Sequence, residues 1–280
     1  RLDSNYLSHH FSYPFYINAM TGGTPETDQI NLKLAKIADH FGLALAVGSM
    51  RIALENQARA AGFAQIRKMY PNLFLIANVS ADMELEDVKR LIQLIDAQAL
   101  QIHINAVQEL VMAEGDRDFK RWKENIKHLK KHTDIPVIVK EVGFGMSEKT
   151  VHFLKSIDID YVDISGKGGT NFAEIEHRRS ASMPYLNAIG YQTVDVLLRH
   201  QKTEGIIASG GIRHALDILK ALVLGAKAVG MSKYFLQVSL LDEQRAFAQV
   251  ETLIEELKKL MILVNTSCIS DLKKVTYQVK

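Results

Sequence analysis

Eight short apolar runs alternate with longer amphipathic segments along this chain of 280 residues, and few architectures accommodate such a pattern. The runs are Pro14–Met20, Ala44–Ser49, Leu73–Ser80, Leu100–Asn105, Ile135–Val142, Asp160–Gly166, Gly205–Gly211 and Ala226–Ser232. Most have the length and the Val and Ile content of parallel strands covered on both faces. The segments between them, such as Glu84–Ala97, Asp118–His132 and Ala215–Leu224, place apolar residues three and four apart, as helices with one buried stripe do. Thr24-Pro25-Glu26 sets a capping hydroxyl, a first-turn proline and an early acid in the order that opens a helix, and Ser147-Glu148 opens another. Alternation of this kind predicts right-handed βαβ units. Eight of them match one (β/α)8 TIM barrel, an α/β fold for which about 250 residues is typical. An open, doubly wound sheet would carry its glycine fingerprint after the first strand. Here the glycine-rich turns follow the seventh and eighth runs. No linker interrupts the period, so residues 1–280 are read as a single domain. The amphipathic stretch Gln237–Leu260 exceeds what a barrel helix needs and is expected to close the barrel or form a subunit contact.

Composition removes several other classes. Lys and Arg number 34 against 32 Asp and Glu, a net charge of +2, which gives no reason to expect nucleic-acid binding. No apolar run reaches the roughly 18 residues that a membrane-spanning helix needs. The single cysteine, Cys268, excludes an internal disulfide framework and any Cys-rich zinc or iron–sulfur site. A reducing, cytoplasmic setting is expected. No basic-then-apolar leader opens the chain and no lipidation motif closes it after Tyr277. A start on Arg1 rather than Met leads to the expectation that an N-terminal segment precedes it in the natural protein.

In a TIM barrel, chemistry belongs at the C-terminal ends of the strands, and polar residues gather there. Met20-Thr21-Gly22-Gly23 ends the first run and Gly48-Ser49-Met50-Arg51 the second; Asn78 and Ser80 end the third. Lys140-Glu141 ends the fifth, and Ser165-Gly166-Lys167-Gly168-Gly169-Thr170 the sixth. The fourth run says most. Gln101, His103 and Asn105 alternate with Leu100, Ile102 and Ile104, so the apolar face packs on helices and the polar face points into the barrel. Unpaired polar groups are costly there. Gln108-Glu109 follow and are expected in a loop over the mouth. This set suits a polar ligand or a metal. Glu109 is the only carboxylate in it, and a lone carboxylate suits Mg²⁺, which keeps its waters and binds substrate phosphate. Ser209-Gly210-Gly211-Ile212-Arg213 and Gly230-Met231-Ser232-Lys233 have the composition of a phosphate grip. Lys140 is expected to face a cofactor ring inside the mouth, on the same volume as Asn78 and Thr21.

These residues resemble the type 2 isopentenyl-diphosphate isomerases, FMN-dependent (β/α)8 barrels. The segments that carry the resemblance are Tyr16-Ile-Asn-Ala-Met-Thr-Gly-Gly23, Gln101-Ile-His-Ile-Asn-Ala-Val-Gln-Glu109 with Glu114-Gly-Asp-Arg117, Val139-Lys-Glu-Val-Gly-Phe-Gly-Met146, Asp163-Ile-Ser-Gly-Lys-Gly-Gly-Thr170 and Ser209-Gly-Gly-Ile-Arg213. The resemblance implies interconversion of isopentenyl and dimethylallyl diphosphate with reduced FMN and Mg²⁺, NADPH supplying the reduction. It also implies a homo-oligomer, a tetramer or octamer. Motif by motif, it implies that Ala19, Met20, Thr21, Ser49, Asn78, Lys140, Ser165 and Thr170 line the flavin. Gly211, Ile212, Arg213, Ser232 and Lys233 would hold its phosphate. Ser49, Met50, Arg51, His103, Asn105 and Gln108 would meet the substrate, Gln108 also serving with Lys140 in catalysis, and Glu109 would bind Mg²⁺. Two departures stand out: Met50 replaces a frequent Gln, and the family's Arg-Lys pair and His near a longer N-terminus have no counterpart in Arg1–Ser12.

Two other readings are open to an FMN barrel. An oxidoreductase of the 2-hydroxy-acid oxidase type needs a catalytic His where this chain has Lys167, and an inosine-monophosphate-dehydrogenase-like enzyme needs a Cys in that loop. A flavin-binding scaffold without turnover would leave the polar face of the fourth run unexplained.

Overall fold

The computed structural model describes all residues except Glu114, Ala181, Ser182, Val279 and Lys280, so the Glu114 of the motif above lies outside the described residues. The chain opens with a hairpin, β1 (Ser4–Tyr6) and β2 (His9–Phe11). It then forms β3 (Phe15–Ile17), β4 (Leu45–Ala46), β5 (Leu75–Ser80), β6 (Ala99–Ile104), β7 (Val137–Glu141), β8 (Tyr161–Asp163), β9 (Ile206–Ala208) and β10 (Ala228–Met231). These eight close into a parallel barrel in the order β10-β3-β4-β5-β6-β7-β8-β9, the predicted architecture. Each lies within one of the eight runs, β6 alone starting a residue earlier at Ala99.

The helices of the first half are α1 (Pro25–Phe41), α2 (Arg51–Glu55), α3 (Gln57–Met69), α4 (Leu85–Ile95), α5 (Ala106–Val111) and α6 (Lys120–Lys131). Those of the second half are α7 (Glu148–Ser156), α8 (Phe172–Ser180), α9 (Thr193–Arg199), α10 (Ala215–Val223), α11 (Lys233–Ser239) and α12 (Glu243–Leu263). The two start signals act as expected. Thr24 and Thr27 cap α1 reciprocally, and the Ser147 hydroxyl accepts from Thr150 N–H at the start of α7. The stretch Gln237–Leu260 is not one helix, because Asp242 caps a new one by accepting from Arg245 N–H. Val250, Leu253, Ile254, Leu257 and Met261 of α12 are buried in the outer core shared with α10. No helix among the described residues is long and apolar enough to cross a membrane.

Two cores follow from strand alternation. Phe15, Ile17, Leu45, Leu75, Val79, Leu100, Ile102, Val137, Val139, Val162, Ile206 and Val229 face the helices. Inside the barrel the lower layer is smaller: Tyr16, Ala46, Ile76, Ala99, Ile138, Ile207 and Ala228. The hairpin plugs this end, adding Tyr6, Leu7 and Phe11 to that layer, with Tyr6 and Phe11 stacked at 4.2 Å between ring centres. Its two turn residues, Leu7 and Ser8, take φ of 51° and 57°, as a type I′ turn requires. Leucine is a poor residue for that conformation. Tertiary contact overrides propensity: its side chain is buried and its N–H donates to the Tyr161 hydroxyl at 2.9 Å. The plug closes one end of the barrel and leaves chemistry to the other.

Truncating the plug should therefore cost stability. Phe11→Ala is expected to lower the unfolding free energy by about 3 kcal/mol in urea titrations, the usual range for a buried phenylalanine.

Candidate active site

Above the apolar layer stands a buried carboxylate. Asp163 has no exposed surface, and it accepts hydrogen bonds from Asn18 Nδ2 (2.8 Å), Tyr16 OH (3.3 Å), Ser209 Oγ (2.5 Å) and the Ser165 N–H (3.2 Å). Donors in this number offset the desolvation of a charge that would otherwise be prohibitive. Asn18 extends the network, its Oδ1 accepting from Gln101 Nε2 (3.1 Å) and from the Ala19 N–H (2.9 Å). The Gln101 side-chain oxygen, Oε1, is buried without a protein partner among the described residues. Burial, and then the Asp163 charge, push the Tyr16 phenol well above the usual range, so it remains a donor.

The next layer is the floor of the mouth. Register pairs Asn78 with Gln101, His103 with Ser80 and with Lys140, and Lys140 with Asp163. Lys140 is buried, and its ammonium donates to two neutral oxygens, Ser165 Oγ at 3.1 Å and its neighbour's backbone carbonyl on Glu141. Ser165 has φ 28°, a conformation that costs a non-glycine residue about 1–3 kcal/mol. Asp163 holds its N–H, and the Gly145 N–H holds its carbonyl at 3.0 Å. Burial, then the Lys140 charge, lower the His103 imidazole to about 4, so the ring is neutral and Nδ1 can donate to Asn78 Oδ1 at 3.2 Å. Glu141 is moved the other way. Burial pushes its carboxyl up to about 7 against the pull of the Phe144 and Gly143 N–H groups and of Lys140.

The polar face of β6 runs on into α5. Gln108 and Glu109 therefore sit on a helical turn rather than in the loop expected from the sequence, because Asn105 starts that turn directly, its carbonyl accepting from Glu109 N–H at 3.0 Å. Asn105 Nδ2 reaches Glu109 Oε1 at 2.8 Å and Gln108 Oε1 at 3.3 Å, and Asp116 N–H donates to Glu109 Oε2 at 2.8 Å. The Gln108 amide donates to Glu176 Oε1 at 3.0 Å; Glu176 is buried on α8 and also accepts from Arg179. His103, Asn105, Gln108 and Glu109 are thus gathered on one wall, next to Lys140.

The remaining residues ring this wall. Ala19, Met20 and Thr21 are half-buried after β3, with the Thr21 hydroxyl donating to Asn31 Oδ1 at 2.9 Å. Ser49 is exposed ahead of α2. Arg51, on the rim, donates to Ser80 Oγ (2.6 Å) and to both Asp82 oxygens (2.6 and 2.7 Å). Burial would raise the Asp82 carboxyl, but the Ser80 hydroxyl and the Arg51 guanidinium together pull it below its ordinary value. Met50 departs from expectation. Its side chain is fully buried in the core between barrel and helices, so only its backbone is near the mouth. The cause is local: Met50 N–H bonds Asn78 O at 2.9 Å while the chain turns into α2, and that turn drives the apolar side chain inward.

On the opposite rim the two glycine loops pass backbone to backbone. Gly210 has φ 87°, and a Cβ there would lie 2.0 Å from Gly166 O. Arg213, exposed, donates to Gly168 O at 3.0 Å. Gly211, Ile212 and Ser232 are half-buried, whereas Thr170 and Lys233 are exposed.

Several residues of this site were missed in the sequence. Asn18 and Asp163 carried a usable signal, since Tyr16 and Asn18 alternate with Phe15 and Ile17, and Tyr161, Asp163 and Ser165 with Val162 and Ile164. Glu176 carried none, because nothing in its helix singles it out from Glu174.

Residues 76–278 match the family model of FMN-dependent dehydrogenases. The fold agrees with a mandelate oxidase carrying a monooxide FMN adduct (TM-score 0.68, 13% identity, covering 100% of this chain and 83% of that one). It also agrees with the flavin-binding domain of baker's yeast flavocytochrome b2 (TM-score 0.67, 18% identity, 100% and 75%). The class is thus an FMN-dependent (β/α)8 barrel. Sequence narrows it further. Isopentenyl-diphosphate delta-isomerases of Staphylococcus aureus strains JH9 and Newman are 48% identical over 267 residues, 93% of this chain and 76% of theirs. The chain belongs to the isopentenyl-diphosphate delta-isomerase family.

Two groups at the mouth, half-buried His103 and buried Glu141, give opposite pH dependences. The folded-state value of His103, about 4, lies below the ordinary 6.5, so its contribution to stability is present above pH 6.5 and lost as pH falls through 4. That of Glu141, about 7, lies above 4.5, so its contribution is present below pH 4.5 and lost as pH rises through 7. Glu141→Gln is therefore expected to gain stability relative to the parent by roughly 3 kcal/mol between pH 4.5 and pH 7 and above, read from urea midpoints. The His103 ring should titrate near pH 4 by NMR.

Proposed function

We propose that the chain interconverts isopentenyl and dimethylallyl diphosphate by moving a proton across the alkene. The terminal methylene carbon gains a proton, and the carbon between the alkene and the diphosphate-bearing carbon loses one. The wall formed by His103, Asn105, Gln108 and Glu109 beside Lys140 is the observation that carries this reading.

The residues suit FMN. Lys140 is a buried cation whose hydrogen bonds go to neutral oxygens, which favours an anionic ring beside it. The glycine loops bring bare backbone to the rim, where a phosphate can reach N–H groups. Ala19, Met20, Thr21, Ser49, Asn78, Lys140, Ser165 and Thr170 would hold the ring and its chain, and Gly211, Ile212, Arg213, Ser232 and Lys233 the phosphate. Reduced FMN, with NADPH as its reductant, supplies an electron-rich face that stabilises positive charge developing on the alkene. The donor set also suits Mg²⁺. Among the described residues no group of three or more His, Cys, Asp or Glu is placed to hold a metal, so Glu109 would act as a single protein ligand to an ion that keeps water and diphosphate oxygens.

The chain's own residues then orient and exclude. Glu109 with the ion would fix the diphosphate, and Arg51 would swing to it from Asp82. Asn105 holds Gln108 and Glu109 in register with one another. Glu176 turns the Gln108 amide, which as a neutral group orients a proton but donates it poorly. Neutral His103 and Asn78 fill the floor without adding charge. Positioning of this kind fixes the alkene in one pose. A homo-oligomer in the cytoplasm completes the reading, and exposed Ile262 and Leu263 at the end of α12 support the oligomer.

Incubation with isopentenyl diphosphate, Mg²⁺, FMN and NADPH should yield the dimethylallyl isomer, and omitting the reductant should abolish it. Lys140→Ala is expected to weaken FMN binding by about tenfold or more and to cut kcat by about a hundredfold. Full activity of Glu109→Gln without Mg²⁺ dependence would sink the metal assignment.

A further inference from the structure

Glu141 takes no part in the chemistry above, yet it is a buried carboxylate at the mouth, one residue past Lys140. Two hydrogen bonds converge on one oxygen of its carboxylate: Oε2 accepts from the Gly143 N–H at 2.6 Å and from the Phe144 N–H at 2.5 Å. Once the carboxyl is ionised, bonds of this length are charge-assisted and strong. The turn they hold is crowded. Gly143 has φ 132°, and a Cβ there would lie 2.4 Å from Thr170 O.

What the turn carries gives the carboxylate its meaning. The Phe144 ring is buried among Val107 and Val111 of α5, Phe172 and Ala173 of α8, and Leu186. Its carbonyl accepts from the Tyr191 N–H at 2.8 Å, and Tyr191 O in turn accepts from the Lys167 N–H at 2.8 Å. Helix α5 spans Ala106–Val111, far too short to hold its own shape or place by hydrogen bonding alone. Its position depends on packing, and the packing runs through Phe144. Gln108 and Glu109 lie between Val107 and Val111 in sequence, and Glu176 lies on the helix across the same cluster.

We propose that Glu141 is a positioning residue: its carboxylate pins the Gly143–Phe144 turn so that the Phe144 ring wedges α5 against α8 and sets Gln108, Glu109 and Glu176 at the mouth. The loops after β9 and β10 lie outside this turn and meet it only through Tyr191 and the Gly166–Gly168 segment, so they are expected to feel its loss less than α5 does. The proposal deepens the isomerase reading and rests on it for the kinetic arm of its test.

The test compares Glu141→Ala, Glu141→Gln and Phe144→Ala in the FMN-loaded enzyme. In Glu141→Ala, KM for isopentenyl diphosphate and the half-saturating Mg²⁺ concentration should each rise about tenfold, with a smaller fall in kcat. FMN affinity, read by flavin fluorescence, should stay within about threefold. Chymotrypsin should cut after the exposed Tyr185 or Tyr191 about tenfold faster, as the turn opens more often. Glu141→Gln keeps an acceptor oxygen and should return every readout to within about threefold of the parent. Phe144→Ala breaks the link at its other end and should reproduce Glu141→Ala. Parental KM and cleavage in Glu141→Ala, or loss of FMN affinity in step with KM, overturns the proposal. If Glu141→Ala does not fold, parental values in Phe144→Ala overturn it equally. If the parent shows no isomerase activity, the functional reading fails, while the cleavage comparison alone still decides the pinning role.

Discussion

A carboxylate without access to water stands at the centre of this barrel, and the mouth is arranged over it. Asp163 can remain there only because Asn18, Tyr16, Ser209 and the Ser165 N–H all donate to it. Those four donors come from three strands, β3, β8 and β9, or the residues that follow them, so satisfying one charge fixes the relative heights of these strand ends. Asn18 passes the constraint on to β6 through Gln101 and to the segment after β3 through the Ala19 N–H. Ser165 passes it on to Lys140. A buried polar network in which every described polar side chain but the Gln101 oxygen finds a partner is rigid, and it fixes the floor of the mouth.

The strain in the site has a visible counterweight. Ser165 occupies a backbone region that favours glycine, and hydrogen bonds on both sides of it hold it there. Its hydroxyl is thereby presented to the Lys140 ammonium, one of two neutral oxygens that leave the cation free to face an anion. The opposite wall is looser in construction. It is a single helical turn, α5, propped by the small cluster of Val107, Val111, Phe144, Phe172, Ala173 and Leu186.

Much of this was legible before any coordinates. The eight runs fell on the eight barrel strands because parallel strands covered on both faces must be apolar and short, and the helix caps at Thr24 and Ser147 act locally. The polar face of β6 was legible because a period of two is visible in six residues. The same period at Asn18 and Asp163 was present but easy to pass over, each being one polar residue in an apolar run. The burial of Met50 was not legible, because a motif position fixes the backbone and not where the side chain turns. Glu176, Asp82 and Glu141 needed the fold, being partners across elements distant in the chain.

The amino-acid sequence alone determined the strand and helix order, the closed barrel and the end of it where polar groups collect. These depend on hydrophobic period and capping, which are local in the chain. Only the tertiary structure decided which polar groups meet. It placed a hairpin with an unfavourable Leu7 turn as a plug, put Gln108 against Glu176, tied Arg51 to Asp82 and sank Met50 into the core. The reason is that burial and hydrogen-bond satisfaction are properties of neighbours in space, and a single desolvated carboxylate outweighs the preferences of the residues around it.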